Sequence, residues 1–303
     1  MLQIIANENA GNGTGRRTLP KVQALLAAQG VAFETRTTQG PGDATKLAKE
    51  AIDRGITEIV CLGGDGTDFE IVNGLAGRFA TLYFVPCGTG NDFSKMFARP
   101  EDPVEALAAQ LDGERRRIDL GRIAMSRNDG AQKREIYFLN VSGSGFDVEV
   151  LIQAARFKRM GKGLIPYLMG LIAALRKFRP MHIETEINGK KEEKDVTIFS
   201  VGNGSFIGGG MKAVPGAKTD DGLFDVVIAD AMSKGAILKF LGKFIKGKHI
   251  GLKEIHTLQC ERMTVRCPGM TIDADGELIP ADEARFEILP GAVEVRMPAK
   301  TGN

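Results

Sequence analysis

Three glycine-rich segments stand out in the first third of the sequence: Asn7-Glu8-Asn9-Ala10-Gly11-Asn12-Gly13-Thr14-Gly15, Gly63-Gly64-Asp65-Gly66-Thr67 and Pro86-Cys87-Gly88-Thr89-Gly90-Asn91-Asp92. Glycine lacks a Cβ, so backbone N–H groups in such a turn can close around an anion, and a helix N-terminus just beyond adds partial positive charge. A single turn of this kind is as readily a tight connection with Thr67 as a helix cap. Three of them, each at the end of a predicted strand, suit a polyphosphate. A dinucleotide fold would use Gly11-x-Gly13-x-Gly15 with an acid ending the second strand, but the sequence there reads Thr35-Arg36-Thr37-Thr38. Walker A and protein-kinase H-R-D patterns are absent.

The elements that position these turns follow from hydrophobic periodicity. Apolar runs at Leu2–Ala6, Val31–Thr37, Glu58–Leu62 and Thr81–Val85 read as strands, and Arg16–Gln29, Asp43–Arg54 and Phe69–Leu75 as helices, with a further helix from Asn91. Strand-helix alternation predicts a mainly parallel sheet with helices on both faces, and ligands at the carboxyl ends of its strands. Beyond Gly121 the pattern changes. Short alternating runs at Arg134–Val141, Met181–Asn188, Asp195–Val201, Gly222–Ala229, Arg262–Cys267, Thr271–Ala274 and Ala284–Leu289 predict an antiparallel sheet or sandwich. Helical stretches near Asp147–Phe178 and Ser233–Lys248 interrupt them, and the last run, Ala292–Arg296, returns to the first unit. The expected domains are 1–121 with about 291–303, and 122–290.

The chain has 303 residues, 43% of them hydrophobic, with a net charge of +2, which argues against a nucleic-acid binder driven by bulk charge. Cys61, Cys87, Cys260 and Cys267 form neither C-x-x-C pairs nor a zinc pattern with His182, His249 and His256. The longest apolar stretch, Leu164–Leu175, falls short of the roughly 20 residues that span a bilayer. No basic leader precedes the first strand, so a cytoplasmic protein is expected.

Taken together, the motifs resemble the diacylglycerol kinase catalytic-domain family, which includes sphingosine and ceramide kinases, and above all its bacterial soluble lipid kinases. The resemblance is carried by Gly63-Gly64-Asp65-Gly66-Thr67 with Glu70, and by Pro86-x-Gly88-Thr89-x-Asn91-Asp92-Phe93. Ile118–Gly121, Phe138–Asp147, Gly208–Met211, Asp221–Leu223 and Asp275-Gly276-Glu277 extend it over nearly the whole chain. It implies an N-terminal α/β domain similar to phosphofructokinase and NAD kinase, a C-terminal β-sandwich, and an active site in the cleft between them. It further implies ATP contacts at Asn7, Glu8, Asn9, Ala10, Gly11 and Thr38, through Gly63, Gly64, Asp65, Gly66, Thr67, Asp68 and Phe69, and at Thr89. Asp65 would lie beside the phosphates and their magnesium. Glu277 matches the family's general base, and Lys218, Asp221 and Leu223 a second, structural magnesium site. Without the resemblance, Glu277 reads as an exposed hairpin acid and Asp221 as part of an Asp-Gly turn.

Three positions depart from the family pattern. Phe69 stands where Asn is common and offers neither donor nor acceptor, Asp68 replaces an apolar residue, and Glu8 replaces proline beside the expected phosphates.

Residues 151–183 and 232–253 contain no acid. The first segment carries Arg156, Lys158, Arg159, Lys162, Arg176, Lys177 and Arg179, and the second Lys234, Lys239, Lys243, Lys246, Lys248 and Lys253, all among apolar residues. Such composition fits either an ordinary solvated rim over a core or an interfacial helix at an anionic membrane. The expected activity is magnesium- and ATP-dependent phosphorylation of a lipid hydroxyl, with diacylglycerol giving phosphatidic acid, by a protein peripherally bound at the inner leaflet. A nucleotide- and lipid-binding protein without turnover, a sphingoid or ceramide-like acceptor, and a soluble acceptor of the NAD-kinase type are the alternatives. Nucleic acid is not expected as a partner, and a homodimer stays open.

Overall fold

The computed structural model describes residues 1–97, 99–128, 133–157 and 164–298, with the backbone alone for 164–168. Its first half runs β1 (Leu2–Ala6), α1 (Ala10–Ala28), β2 (Phe33–Thr37), α2 (Asp43–Asp53), β3 (Glu58–Gly63), α3 (Asp65–Leu75), β4 (Thr81–Pro86), a 3-10 turn at Phe93–Met96 and α4 (Pro103–Leu111). The strands pair in parallel in the order β4-β3-β1-β2. Alternate strand residues serve opposite faces. Ile4, Val60, Leu62 and Val85 meet Leu19, Val22 and Leu26 of α1 and Leu107 of α4, while Ile5, Ile59, Cys61 and Phe84 meet α2 and α3. Asp102 caps α4 by accepting from the N–H groups of Val104 and Glu105, with Pro103 at the first helical position. The helix expected from Asn91 is only the short 3-10 turn, because Asn91 itself adopts a left-handed φ of 50°.

The second half comprises β5 (Glu114–Ser126), β6 (Arg134–Phe138), β7 (Val141–Gly145), α5 (Phe146–Phe157), α6 (Leu164–Lys177), β8 (Met181–Ile187), β9 (Lys190–Gly202), β10 (Phe206–Ile207), β11 (Met211–Lys212), β12 (Phe224–Asp230), α7 (Lys234–Phe244), β13 (Ile255–Cys260), β14 (Arg262–Ala274) and β15 (Glu277–Met297). All strand pairs within this half are antiparallel. Their inward faces enclose one apolar core that includes Ile123, Phe138, Phe199, Phe224, Val265, Ile272 and Phe286. The single helical stretch expected from Asp147 to Phe178 is two helices, α5 and α6. Arg262–Cys267 and Thr271–Ala274 join into β14 across a register shift between Arg266 and Met270.

The last two runs likewise join. β15 pairs antiparallel with β14 and β5, shifts register between Leu289 and Val293, and then pairs in parallel with β4 through Glu294 and Val295. One strand is thereby shared by both halves of a 13-stranded sheet. Asn73 on α3 adds a second tie, donating to the Tyr137 carbonyl and accepting from the Tyr137 N–H.

Candidate active site

The three glycine turns lie side by side at the carboxyl ends of β1, β3 and β4. Gly11 has a φ of 55°, and a Cβ there would fall 2.0 Å from the Cys87 carbonyl oxygen, so only glycine lets the first turn approach the third. A Cβ on Gly64 would be 2.8 Å from the Gly88 Cα, which presses the second turn against the third. Asn7 Nδ2 donates to Thr67 Oγ1 at 3.3 Å. Opposite them, Glu70 accepts from the N–H groups of Gly42 and Ala44 at 2.8 and 3.0 Å, fixing the segment that follows Thr38.

These turns wall a cavity of about 520 Å³ together with Thr38, Gln39, Gly40 and Pro41. Of the residues expected at a nucleotide, Asn7, Asn9, Ala10, Thr38, Gly64, Asp65, Gly66, Thr67 and Thr89 line it, and so does Glu277. Glu8, Gly11 and Gly63 do not; Gly11 acts through the close approach of backbones, and Gly63 leaves room for the Thr67 side chain, whose Oγ1 would lie 2.3 Å from a Cβ there. Asp68 and Phe69 depart from expectation in a different way. The Phe69 side chain is buried in the apolar core of the second half, so the missing amide removes no polar contact in the cleft. Asp68 opens into a second cavity of about 380 Å³.

That second cavity is lined by Phe93, Leu139, Val141, Leu151, Phe206 and Ile207, by Gly208 and Gly209, and by the five acids Asp65, Asp68, Asp92, Asp273 and Asp275. Helix α3 is the partition between the two spaces. Its period places Asp65 and Asp68 toward one, and Thr67 and Glu70 toward the other. Asp65 and Thr89 line both.

Asp65 Oδ1 accepts from the N–H groups of Asp92 and Phe93 at 2.5 and 3.3 Å. A Cβ on Gly90 would come within 2.7 Å of Oδ2, so glycine keeps that oxygen clear. Burial, and then the charge of Asp92, raise the Asp65 pKa. Asp275 and Gly276, both at positive φ, form the two-residue turn joining β14 to β15. The Asp275 carboxylate accepts from the N–H groups of Leu139, Asn140 and Val141, and burial still pushes it up to about 7. The hairpin tip is thus pinned, and Glu277, exposed at the start of β15, faces the first cavity. Asp273 is likewise pushed up to about 7 by burial and by Asp147, whose own carboxyl burial pushes up to about 6.

Lys218 and Asp221 are exposed and, with Leu223, line neither cavity. The Asp221 carboxylate accepts from the Leu223 N–H at 3.2 Å, and Asp119 holds the same loop through Gly222 and ties it to Gly291. The Asp-Gly turn is therefore held by protein groups. Among the described residues no group of three or more His, Cys, Asp or Glu is arranged to hold a metal ion. The donors at the junction nevertheless fit magnesium brought in on a nucleotide, which takes one or two carboxylates, here Asp65, and completes its shell with phosphate oxygens and water.

Sequence reasoning missed Gln39, Gly40, Pro41 and Glu70 on one side of α3, and Asp92, Asn140, Phe206, Asp273 and Asp275 on the other, as members of the site. Glu70, Asp92, Asn140 and Asp275 belong to motifs that were visible; their spatial convergence was not.

On the surface, Met169 and Ile172 of α6 and Leu238 of α7 are exposed, as are Ile245 and Ile250 beyond it. Lys234 Nζ donates to the Arg176 carbonyl, joining the two helices. Arg176, Lys177 and Arg179 and all six lysines of 232–253 are exposed around these apolar residues. Lys158, Arg159 and Lys162 lie outside the described residues. Among those described, no helix is long and apolar enough to cross a membrane.

A triple glycine turn at the strand ends, an acid at its junction with a second cavity and an α/β half joined to a β-rich half fit a phosphotransferase of the NAD-kinase-like fold. Residues 1–123 match the diacylglycerol kinase catalytic domain, and residues 140–297 the YegS C-terminal NAD kinase beta sandwich-like domain. The chain is 31% identical over 265 residues to a diacylglycerol kinase of Bacillus subtilis, covering 86% of this chain and 84% of that one. It is 32% identical over 299 residues to a probable lipid kinase YegS-like of Stenotrophomonas maltophilia, covering 95% and 94%. A crystal structure of a diacylglycerol kinase from Bacillus anthracis superposes with a TM-score of 0.77 at 26% identity, over 98% of this chain and 96% of that one. Yeast NADH kinase shares the fold alone, with a TM-score of 0.55 at 11% identity over 99% and 84%. The chain belongs to the diacylglycerol kinase family of lipid kinases.

Proposed function

We propose that this chain transfers the γ-phosphoryl group of ATP to a hydroxyl group of a membrane lipid, with diacylglycerol, converted to phosphatidic acid, as the reference acceptor. The observation that carries this reading is the meeting of the two cavities at Asp65 and Thr89. A polar space walled by glycine turns suits a triphosphate, and an adjoining space with an apolar lining suits a lipid head. Magnesium bound to the phosphates would neutralise charge on the group being transferred. Asp65 would hold that charge in place, and the glycine turns would align the phosphates through backbone N–H groups. Glu277, beside the phosphate space and next in sequence to Gly276 of the acceptor space, would accept the proton of the attacking hydroxyl. The exposed apolar residues of α6 and α7 within their basic rim would bring the cleft to an anionic membrane.

Phe69 lends no support to a protein without turnover, because its side chain lies outside the cleft. The test is incubation of the purified chain with magnesium and radiolabelled ATP in mixed micelles containing diacylglycerol, sphingoid bases or ceramides. Labelled lipid is expected, with kcat reduced on the order of 10²–10⁴-fold in Glu277→Gln at little change in KM for ATP. Absence of any labelled lipid, or full activity in Glu277→Gln, overturns the assignment.

A further inference from the structure

Four of the five acids around the acceptor cavity have partners. Asp65 accepts from two backbone N–H groups. Asp92 pairs with Lys95 at 2.7 Å and accepts from the Gly209 N–H at 2.7 Å. Asp273 accepts from the Gly276 N–H, and Asp275 from three N–H groups of the β6–β7 connection and β7. Asp68 differs. It is only 8% exposed, it lines the cavity, and among the described residues no hydrogen bond or ion pair reaches its carboxyl group. It stands one turn along α3 from Asp65, so it lies beside the place where an acceptor hydroxyl must meet the phosphate.

The Asp68 carboxyl group opens to the cavity, so a ligand that displaces solvent from it must supply a donor in its place or leave it unpaired at a cost. Diacylglycerol has one hydroxyl, the one that reacts, and otherwise presents ester oxygens, which only accept and so leave the acceptor oxygen of Asp68 unserved whether or not the group carries a proton. A head with a second hydroxyl or an amine presents a donor. Burial and the charges of Asp65 and Asp275 raise the Asp68 pKa, whereas an ammonium head beside it favours the carboxylate, and in either form the group keeps an oxygen that accepts. No basic residue lines the cavity among those described, so an amine would meet no competing cation there.

We propose that Asp68 sets the acceptor preference of this kinase, selecting a lipid whose head carries a hydrogen-bond donor, hydroxyl or amine, beside the hydroxyl that is phosphorylated. This rests on the lipid-kinase reading and narrows its acceptor. The experiment compares kcat/KM of the full chain for 1,2-dioleoylglycerol, 1-monooleoylglycerol and a saturated long-chain amino alcohol, each in the same micelles with magnesium-ATP. Monooleoylglycerol and the amino alcohol are expected to exceed dioleoylglycerol about tenfold. In Asp68→Leu the three should fall within about twofold of one another. In Asp68→Asn, which keeps an acceptor oxygen but cannot ionise, the hydroxyl preference should persist and the amine preference fade. Each ratio is taken within one preparation, so partial misfolding of a variant cancels. Dioleoylglycerol used as well as the other two by the parent chain, or a preference unchanged in Asp68→Leu, overturns the assignment of Asp68 alone. No product from any of the three overturns the lipid-kinase reading on which it stands.

Discussion

The two cavities on either side of α3 are built on opposite principles. The space proposed for the nucleotide is made largely of backbone: glycines, small polar residues and helix starts supply N–H groups, and the Glu70 carboxylate fixes the segment that follows Thr38. The space proposed for the acceptor is made of side chains, apolar ones for bulk and five acids, four of them held by backbone N–H groups chiefly of loops and turns. Backbone recognition is insensitive to most substitutions except at glycine. Recognition by side chains can be retuned one residue at a time, which is how a helix carrying Asp65 toward both spaces can change its acceptor at Asp68 alone.

Asp65 tests the contrast most severely, because it is common to both sides. Asp65→Ala should lower kcat/KM on the order of 10³-fold for ATP and lipid together; a loss confined to one substrate would show that the spaces are not coupled through it. Phe69→Asn separates packing from chemistry. It should destabilise the fold by about 3 kcal/mol, as a large-to-small change in a core does, read as a lower denaturant midpoint with no gain in turnover. A substantial gain in turnover would return Phe69 to the site.

The basic face calls for a smaller effect. Lys239→Glu with Lys243→Glu should weaken binding to phosphatidylglycerol vesicles by about 2 kcal/mol at low salt, while activity on a short-chain lipid in solution stays near that of the parent. Equal vesicle binding would mark α7 as an ordinary solvated rim.

The last test concerns the buried acids. Asp147, Asp273 and Asp275 have folded-state pKa values raised to about 6, 7 and 7, above the unfolded value near 4. Their stabilising contribution is therefore complete below about pH 4 and is lost as pH rises through 6 to 7. Asp147→Asn, at a residue that lines neither cavity, should reduce the fall in melting temperature between pH 5 and pH 8, by the equivalent of about 1 kcal/mol. An unchanged slope would mean that Asp147 ionises without cost.

What the sequence disclosed follows the same division. The glycine turns and the Asp275-Gly276 hairpin were legible because their chemistry is local: positive φ and close backbone approach demand particular residues at particular spacings. The fold class was legible from the change of period near Gly121. The acceptor space was not, because Asp68, Asp92, Phe206 and Asp273 converge only through the sheet order, in which β7 lies between β9 and β14. Asp68 and Phe69 were misplaced for a related reason. Adjacent in a motif expected to meet nucleotide, they point in different directions on a helix, one into the second cavity and one into a core.

The strand shared between the halves bears on the order in which the molecule can be made. During synthesis from the N-terminus, β1 to β4 are complete long before residues 294 and 295 exist to cover the edge of β4. Until then that edge offers unpaired N–H and C=O groups to any other chain. The nascent first half is accordingly the stage most open to aggregation or chaperone capture, and the register shift after Leu289 marks the last stretch of sheet to close. Truncations that remove residues beyond 290 should therefore leave a soluble yield limited by an open edge, even though every residue of the glycine turns is present.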